Sequence, residues 1–116
     1  MRRVLLAFIC TNVFLAVLPS SGRSAEGRCL IAVGDSTFLN GRCNIEVRPG
    51  GSFTVGVGEK SRSKYFAFVD VDRSTGLGHG YWNGVDGEGH AHEDLGVLNK
   101  KGACWQSARA KICAWR

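Results

Sequence analysis

Four cysteines constrain what this chain can fold into more than any other feature. Cys29 and Cys43 form one close pair, and Cys104 and Cys113 form another near the opposite end. An even cysteine count in a small exported domain points to disulfides formed in an oxidising compartment. Four cysteines allow three pairings. Pairing Cys29 with Cys43 and Cys104 with Cys113 is favoured, because each bond would clip neighbouring strands of a hairpin. A loop of roughly 10–15 residues closed in this way contributes about 3 kcal/mol by the chain-entropy argument. The alternative, a zinc site, lacks the close C-x₂₋₄-C spacing that such sites use.

The export signal precedes them. Met1-Arg2-Arg3 is basic, Val4 to Leu18 is almost wholly apolar, and Pro19 to Ala25 is small and polar. That order is expected of a secretory signal peptide. The apolar run falls short of the ~20 residues needed to span a bilayer as a helix, so no stable membrane insertion is expected after cleavage. The cut is expected between Gly22 and Ala25. Residues 1–25 are read as the signal and residues 26–116 as a single domain in the periplasm. A fifth cysteine, Cys10, leaves with the signal.

Removing Arg2, Arg3 and Arg23 changes the charge picture. The whole chain carries a formal +5 from 15 basic and 10 acidic residues, and three of those cations leave with the signal. The remainder is an ordinary solvated surface without the basic stripe that a nucleic-acid partner needs. A domain this small gains materially from disulfides.

Beyond the leader, short apolar runs alternate with turn signals. Gly22 to Gly27 reads as a flexible lead. Leu30–Val33 and Ser36–Leu39 flank Gly34-Asp35 as the arms of a hairpin. Asn40-Gly41 is the strongest turn dipeptide. Asn44–Arg48 and Ser52–Val57 alternate with period two around Pro49-Gly50-Gly51. Tyr65–Asp72 is the most apolar strand; Phe66 and Phe68 share one face, and Tyr65, Ala67, Val69 and Val71 the other. A short strand is expected at Gly80–Asn83, a long Gly-rich loop at Val85–Asp94, a strand at Leu95–Leu98, a turn at Asn99–Gly102, and closing strands around Cys104 and Cys113. Ala103–Lys111 tolerates a short helix, but the bracketing cysteines suit adjacent strands. The expected fold is all-β: a small, disulfide-clipped antiparallel barrel or sandwich of seven to eight short strands.

Several clusters carry chemistry. Asp70-x-Asp72-x-Ser74-x-Gly76 resembles a calcium loop, but Thr75 and Tyr81 stand where the motif needs Gly and Glu. An Asx-type turn at a strand end is the better account. All three histidines lie in HGYWNGVDGEGHAHED, residues 79–94. His90 and His92 would face one side of a strand and could share a metal ion with His79. An exposed polar loop outweighs that reading, and no metal or other cofactor is expected. A histidine base with an acidic partner is conceivable, yet no nucleophile elbow is present and the cysteines are spoken for. The chain is therefore not expected to be an enzyme.

Binding is the better class. Tyr81 and Trp82 are amphipathic rings beside a turn, and one of the two is expected in the core. Lys60-Ser61-Arg62-Ser63-Lys64 crowds cations and hydroxyls on one loop, chemistry that suits an acidic cleft. A non-catalytic envelope domain that binds peptidoglycan or another protein is the alternative, with Tyr81 and Trp82 as stacking platforms.

The segments KSRSKYFAFVDVD, GYWNG, GHAHEDLG and GACWQSARAKICAWR together resemble the small periplasmic inhibitors of lysozyme-like peptidoglycan hydrolases of the alphaproteobacterial type. These segments cover about half of residues 26–116. More distantly the chain resembles the c-type lysozyme inhibitors, whose Ser-Gly-x-x-Tyr-like loop reaches the enzyme's catalytic carboxylates. Ser61 and Tyr65 match that spacing; Arg62 replaces the glycine, and the second, basic motif has no clear match. The resemblance implies a hydrolase partner, from a host or from the cell itself, and inhibition by occlusion of its glycan cleft. Ser61 and Tyr65 would insert. Lys60, Arg62, Ser63 and Lys64 join them on chemical grounds, with Tyr81, Trp82, His90 and His92 as a second contact surface.

Overall fold

The computed structural model describes residues 23–58 and 63–116. Most of the expected signal peptide lies outside the described residues, as do Lys60, Ser61 and Arg62 of the candidate loop. The described chain forms eight strands: β1 (Arg23–Val33), β2 (Ser36–Val47), β3 (Phe53–Val55), β4 (Ala67–Asp72), β5 (Leu77–Trp82), β6 (Glu93–Lys101), β7 (Cys104–Gln106) and β8 (Ala110–Trp115). Each pairs antiparallel with the next, and β8 pairs with β1, closing a barrel in simple chain order. Closure removes every open sheet edge, the usual route to unwanted strand addition.

Period-two patterning decides which residues fill the barrel. On β4, Ala67 and Val69 are fully buried, whereas Phe68 and Asp70 face outward. The expected division of faces is therefore present, and the Phe face is the outer wall. The interior holds Ile31, Ile45, Val55, Val69, Trp82, Leu98 and Ile112, all essentially without solvent contact. Two tryptophans fit inside because β5 gives up its own side chains. Its inward positions before Trp82 are Gly78 and Gly80. A Cβ on Gly78 would lie 2.9 Å from both the Trp105 ring and Val69, and one on Gly80 would lie 2.7 Å from Leu98.

Two bulges break the simple alternation. Between β5 and β6 the register runs Gly80↔Gly96 and then Tyr81↔Asp94, leaving Leu95 as the extra residue. A one-residue offset exchanges the two faces of a strand. Here it puts Leu95 in the core at 2 % exposure and carries Asp94 to the outer wall beside Tyr81. Between β1 and β2 the register steps from Ile31↔Leu39 to Ala32↔Thr37, and Phe38 is the extra residue. Its ring packs against Trp82 at 4.7 Å between centroids and against Tyr65 at 5.2 Å.

The disulfides are Cys29–Cys43 and Cys104–Cys113, the expected pairing. Cys104 lies directly opposite Cys113, whereas Cys29 pairs in register with Gly41 and reaches Cys43 diagonally. Asn40-Gly41 is not a turn: it lies within β2, paired with Leu30 and Cys29. The turn is made instead by Gly34-Asp35, where Gly34 takes φ 64°. Register with β1 on both sides of Asn40-Gly41 overrides its local preference. Of the expected flexible lead Gly22–Gly27, Gly22 lies outside the described residues and the rest is not free, since Arg23 to Gly27 pair with Val47 to Cys43. Asn99–Gly102 does not turn as a unit, because β6 continues through Lys101. Ala103–Lys111 forms no helix but parts of β7 and β8, with Ser107 Oγ accepting the Arg109 and Ala110 N–H groups between them.

Candidate functional site

The β3–β4 and β5–β6 connections emerge at the same end of the barrel, and Asn83 fastens them together. Asn83 follows Trp82 at the end of β5 and is fully buried. Its Oδ1 accepts the Phe66 N–H at 2.9 Å. Its Nδ2 donates to the carbonyls of Lys64 at 2.9 Å and Glu88 at 3.0 Å. Its own N–H donates to the Phe66 carbonyl, and its carbonyl accepts the Glu88 N–H. A buried amide must satisfy its donors and acceptors locally. Here those partners lie on two different loops, so the amide acts as a cross-link.

Other contacts extend the fastening. Tyr65 Oη donates to the Val85 carbonyl at 2.9 Å. Ser63 Oγ donates to the Tyr65 carbonyl at 2.6 Å and accepts the Tyr65 N–H at 3.1 Å, closing a local turn. The Lys64 stem lies over Gly87, where a Cβ would come within 2.7 Å of it. Gly87 also takes φ 65°, so this position favours glycine twice over. The Lys64 ammonium stands 5.4 Å from the Tyr65 ring centroid, within cation–π range. Lys64 is exposed and Tyr65 half-buried.

The aromatic pair divides. Trp82 is 1 % exposed inside the barrel and has no surface to offer a partner. Its indole N–H has no hydrogen-bond acceptor among the described residues. A stacking platform made of Tyr81 and Trp82 together is therefore not formed. Tyr81 lies on the outer wall, stacked between Phe68 at 6.3 Å and His79 at 4.8 Å. Arg48 caps the far side of Phe68 at 5.5 Å.

The histidines do not converge. His79 is on β5, and its Nε2 lies 2.6 Å from Asp94 Oδ1. That oxygen also accepts the Gly96 N–H at 2.7 Å. The His79 hydrogen bond, followed by the Gly96 N–H, holds the Asp94 carboxyl below its ordinary pKa. His90 and His92 are exposed in the loop before β6 rather than on a strand, so the shared strand face expected of them is absent. His92 Nε2 lies 3.4 Å from Glu88 Oε2. Among the described residues no three His, Cys, Asp or Glu side chains are grouped closely enough to hold a metal ion. At Asp72, Oδ1 is taken by the Ser74 N–H and hydroxyl, the Asx-type turn expected there.

Sequence reasoning named both loops but missed the cross-link. The visible signal was Asn83-Gly84 after a strand, which reads only as a turn. It also missed Arg48, and it offered Asp94 only as one of several acidic partners for the histidines; register selects His79 for it. The chain matches no family model, no curated protein and no solved structure.

Proposed function

We propose that the protein is an exported, non-enzymatic inhibitor of a lysozyme-type peptidoglycan hydrolase, acting in the periplasm through the loop end of its barrel. The observation that supports this reading most is the cross-linking of the two candidate loops through Asn83. A loop that occludes a cleft must be ordered before it binds, because ordering on contact reduces affinity. The described residues that flank 59–62 are held on both sides. Gly56 N–H bonds to the Asn44 carbonyl, and Ser63, Lys64 and Tyr65 are held as described above.

Division of labour follows from those anchors. Ser63 spends its hydroxyl on the turn; Ser61 lies outside the described residues and is assigned the inserting hydroxyl by its spacing from Tyr65 alone. Lys64 offers a cation beside the half-buried Tyr65 ring, and Lys60 and Arg62 add charge. Hydroxyl and cation together satisfy a pair of catalytic carboxylates without reaction. His90 and His92 lie on the adjacent loop as a rim contact, and Tyr81 lies farther down the wall. Cleavage of the signal after Gly22 keeps β1 whole, whereas a cut after Ala25 removes three residues paired with β2.

A turbidity assay with a c-type lysozyme and one endogenous lytic enzyme tests the proposal. Near-stoichiometric loss of lysis is expected with at least one of them, and Ser61→Ala with Arg62→Ala should abolish it. Unimpaired lysis by both enzymes overturns the inhibitor reading; inhibition that survives the double substitution overturns only the loop assignment.

A further inference from the structure

A second surface lies on the outer wall across β2 to β5. A groove of about 580 Å³ is lined by Glu46, Arg48, Thr54, Phe66, Phe68 and Tyr81, with Val57 and Ala91 at its loop end. That volume falls within the roughly 300–1,000 Å³ of small-molecule sites. The dent arises because β3 is only three residues long and presents the small Thr54 between the larger side chains of its neighbours.

The order of groups along the groove carries the argument. Register fixes it: Glu46 is opposite Thr54, which is opposite Phe68, which is opposite Tyr81. Phe66 is two residues nearer the loop end, where Val57 and Ala91 also lie. Arg48 is two residues farther the other way. Two residues of strand span about 7 Å. The groove therefore has an apolar end at Phe66, Val57 and Ala91, and beyond it Glu46 and the Arg48 guanidinium, which lies over the Phe68 ring. The two charges do not pair with each other, and neither takes part in an ion pair among the described residues. The Arg48 guanidinium carbon lies 5.5 Å from the Phe68 ring centroid, a cation–π contact that leaves its N–H donors without a carboxylate partner among the described residues. Phe66 makes no aromatic contact among the described residues, so its ring is open to an apolar occupant.

We propose that this groove binds a free α-amino acid with an aromatic or branched side chain. The ammonium meets Glu46, the carboxylate meets the Arg48 fork, and the side chain packs on Phe66, Val57 and Ala91. A ligand with only one charge leaves either Glu46 or Arg48 unmatched. The assignment does not depend on the hydrolase reading, since it uses none of residues 60–65.

The test is an amide-resolved NMR titration of the disulfide-bonded protein with L-phenylalanine, phenethylamine and 3-phenylpropanoate. L-Phenylalanine is expected to shift the amides of Glu46, Thr54, Phe68 and Tyr81 saturably, with a Kd of about 1 mM or below. Each analogue should bind at least ten-fold more weakly. Glu46→Gln and Arg48→Gln should each weaken L-phenylalanine at least ten-fold, with the spectrum outside the groove unchanged. Absence of saturation by 10 mM, equal affinity for either analogue, or undiminished binding by either variant would overturn the proposal. The analogue comparison uses the unaltered protein and stands even if a variant misfolds.

Discussion

Replacing Asn83 with alanine should destabilise the protein by about 2–3 kcal/mol. The side chain makes three hydrogen bonds, each to a backbone group on a loop. Truncation leaves the Phe66 N–H without a partner in a half-buried position, at a cost of about 1–2 kcal/mol. The Lys64 and Glu88 carbonyls belong to exposed residues and regain water, so their loss is nearer 0.5 kcal/mol each. Urea unfolding measures the total, and hydrogen exchange at Phe66 measures the local part. Asn83→Asp sharpens the test at nearly constant shape. An aspartate still accepts from Phe66 but turns an oxygen toward two carbonyls. Burial and those carbonyls raise its folded-state pKa above the unfolded value of about 3.9. The resulting penalty is absent below pH ~4, where both states are protonated, and grows as the pH rises toward the folded value. A loss under 0.5 kcal/mol for Asn83→Ala, or a pH-independent loss for Asn83→Asp, would refute the cross-link as the element that orders the two loops.

Other outcomes follow from the same structure. Because the His79 hydrogen bond and the Gly96 N–H lower the Asp94 pKa, Asp94 supports the fold above its unfolded pKa of about 3.9 and that support is lost as the pH falls through the lower folded value. An NMR titration of Asp94 should therefore show a midpoint below 3.9 that rises in His79→Ala. Gly78→Ala should cost about 1–3 kcal/mol by thermal unfolding, because the added methyl meets Trp105 and Val69 at 2.9 Å. Replacing Cys104 and Cys113 together with alanine should cost about 3 kcal/mol in urea under oxidising conditions. Gly87→Ala should weaken hydrolase inhibition more than it lowers the melting temperature, since it displaces Lys64 at the loop surface and leaves the core untouched.

Some of this was legible in the residues alone. The alternation Ala67, Val69, Val71 against Phe68, Asp70, Asp72 fixes a strand with two unlike faces, because side chains on a strand alternate. The short spacings within each cysteine pair favour one of three possible pairings, and the structure has that one. The failures share one cause. Asn40-Gly41 favours a turn over a few residues, but pairing along the whole of β1 and β2 outweighs it. His90-x-His92 would share a face only on a strand, and the chain there is a loop.

Composition and periodicity thus determined the all-β class and the presence of two polar loops, and favoured the disulfide pairing, since these depend on neighbours in the chain. The tertiary structure decided which residues those loops and walls bring together. A bulge at Leu95 places Asp94 beside His79, and the pairing of β2 with β3 and of β3 with β4 sets Arg48 beside Phe68. Asn83 reads locally as a turn residue, and only the pairing of β5 with β4 brings its amide between two loops. Register is a long-range property: a shift of one residue leaves the composition unchanged and exchanges every inward side chain for an outward one.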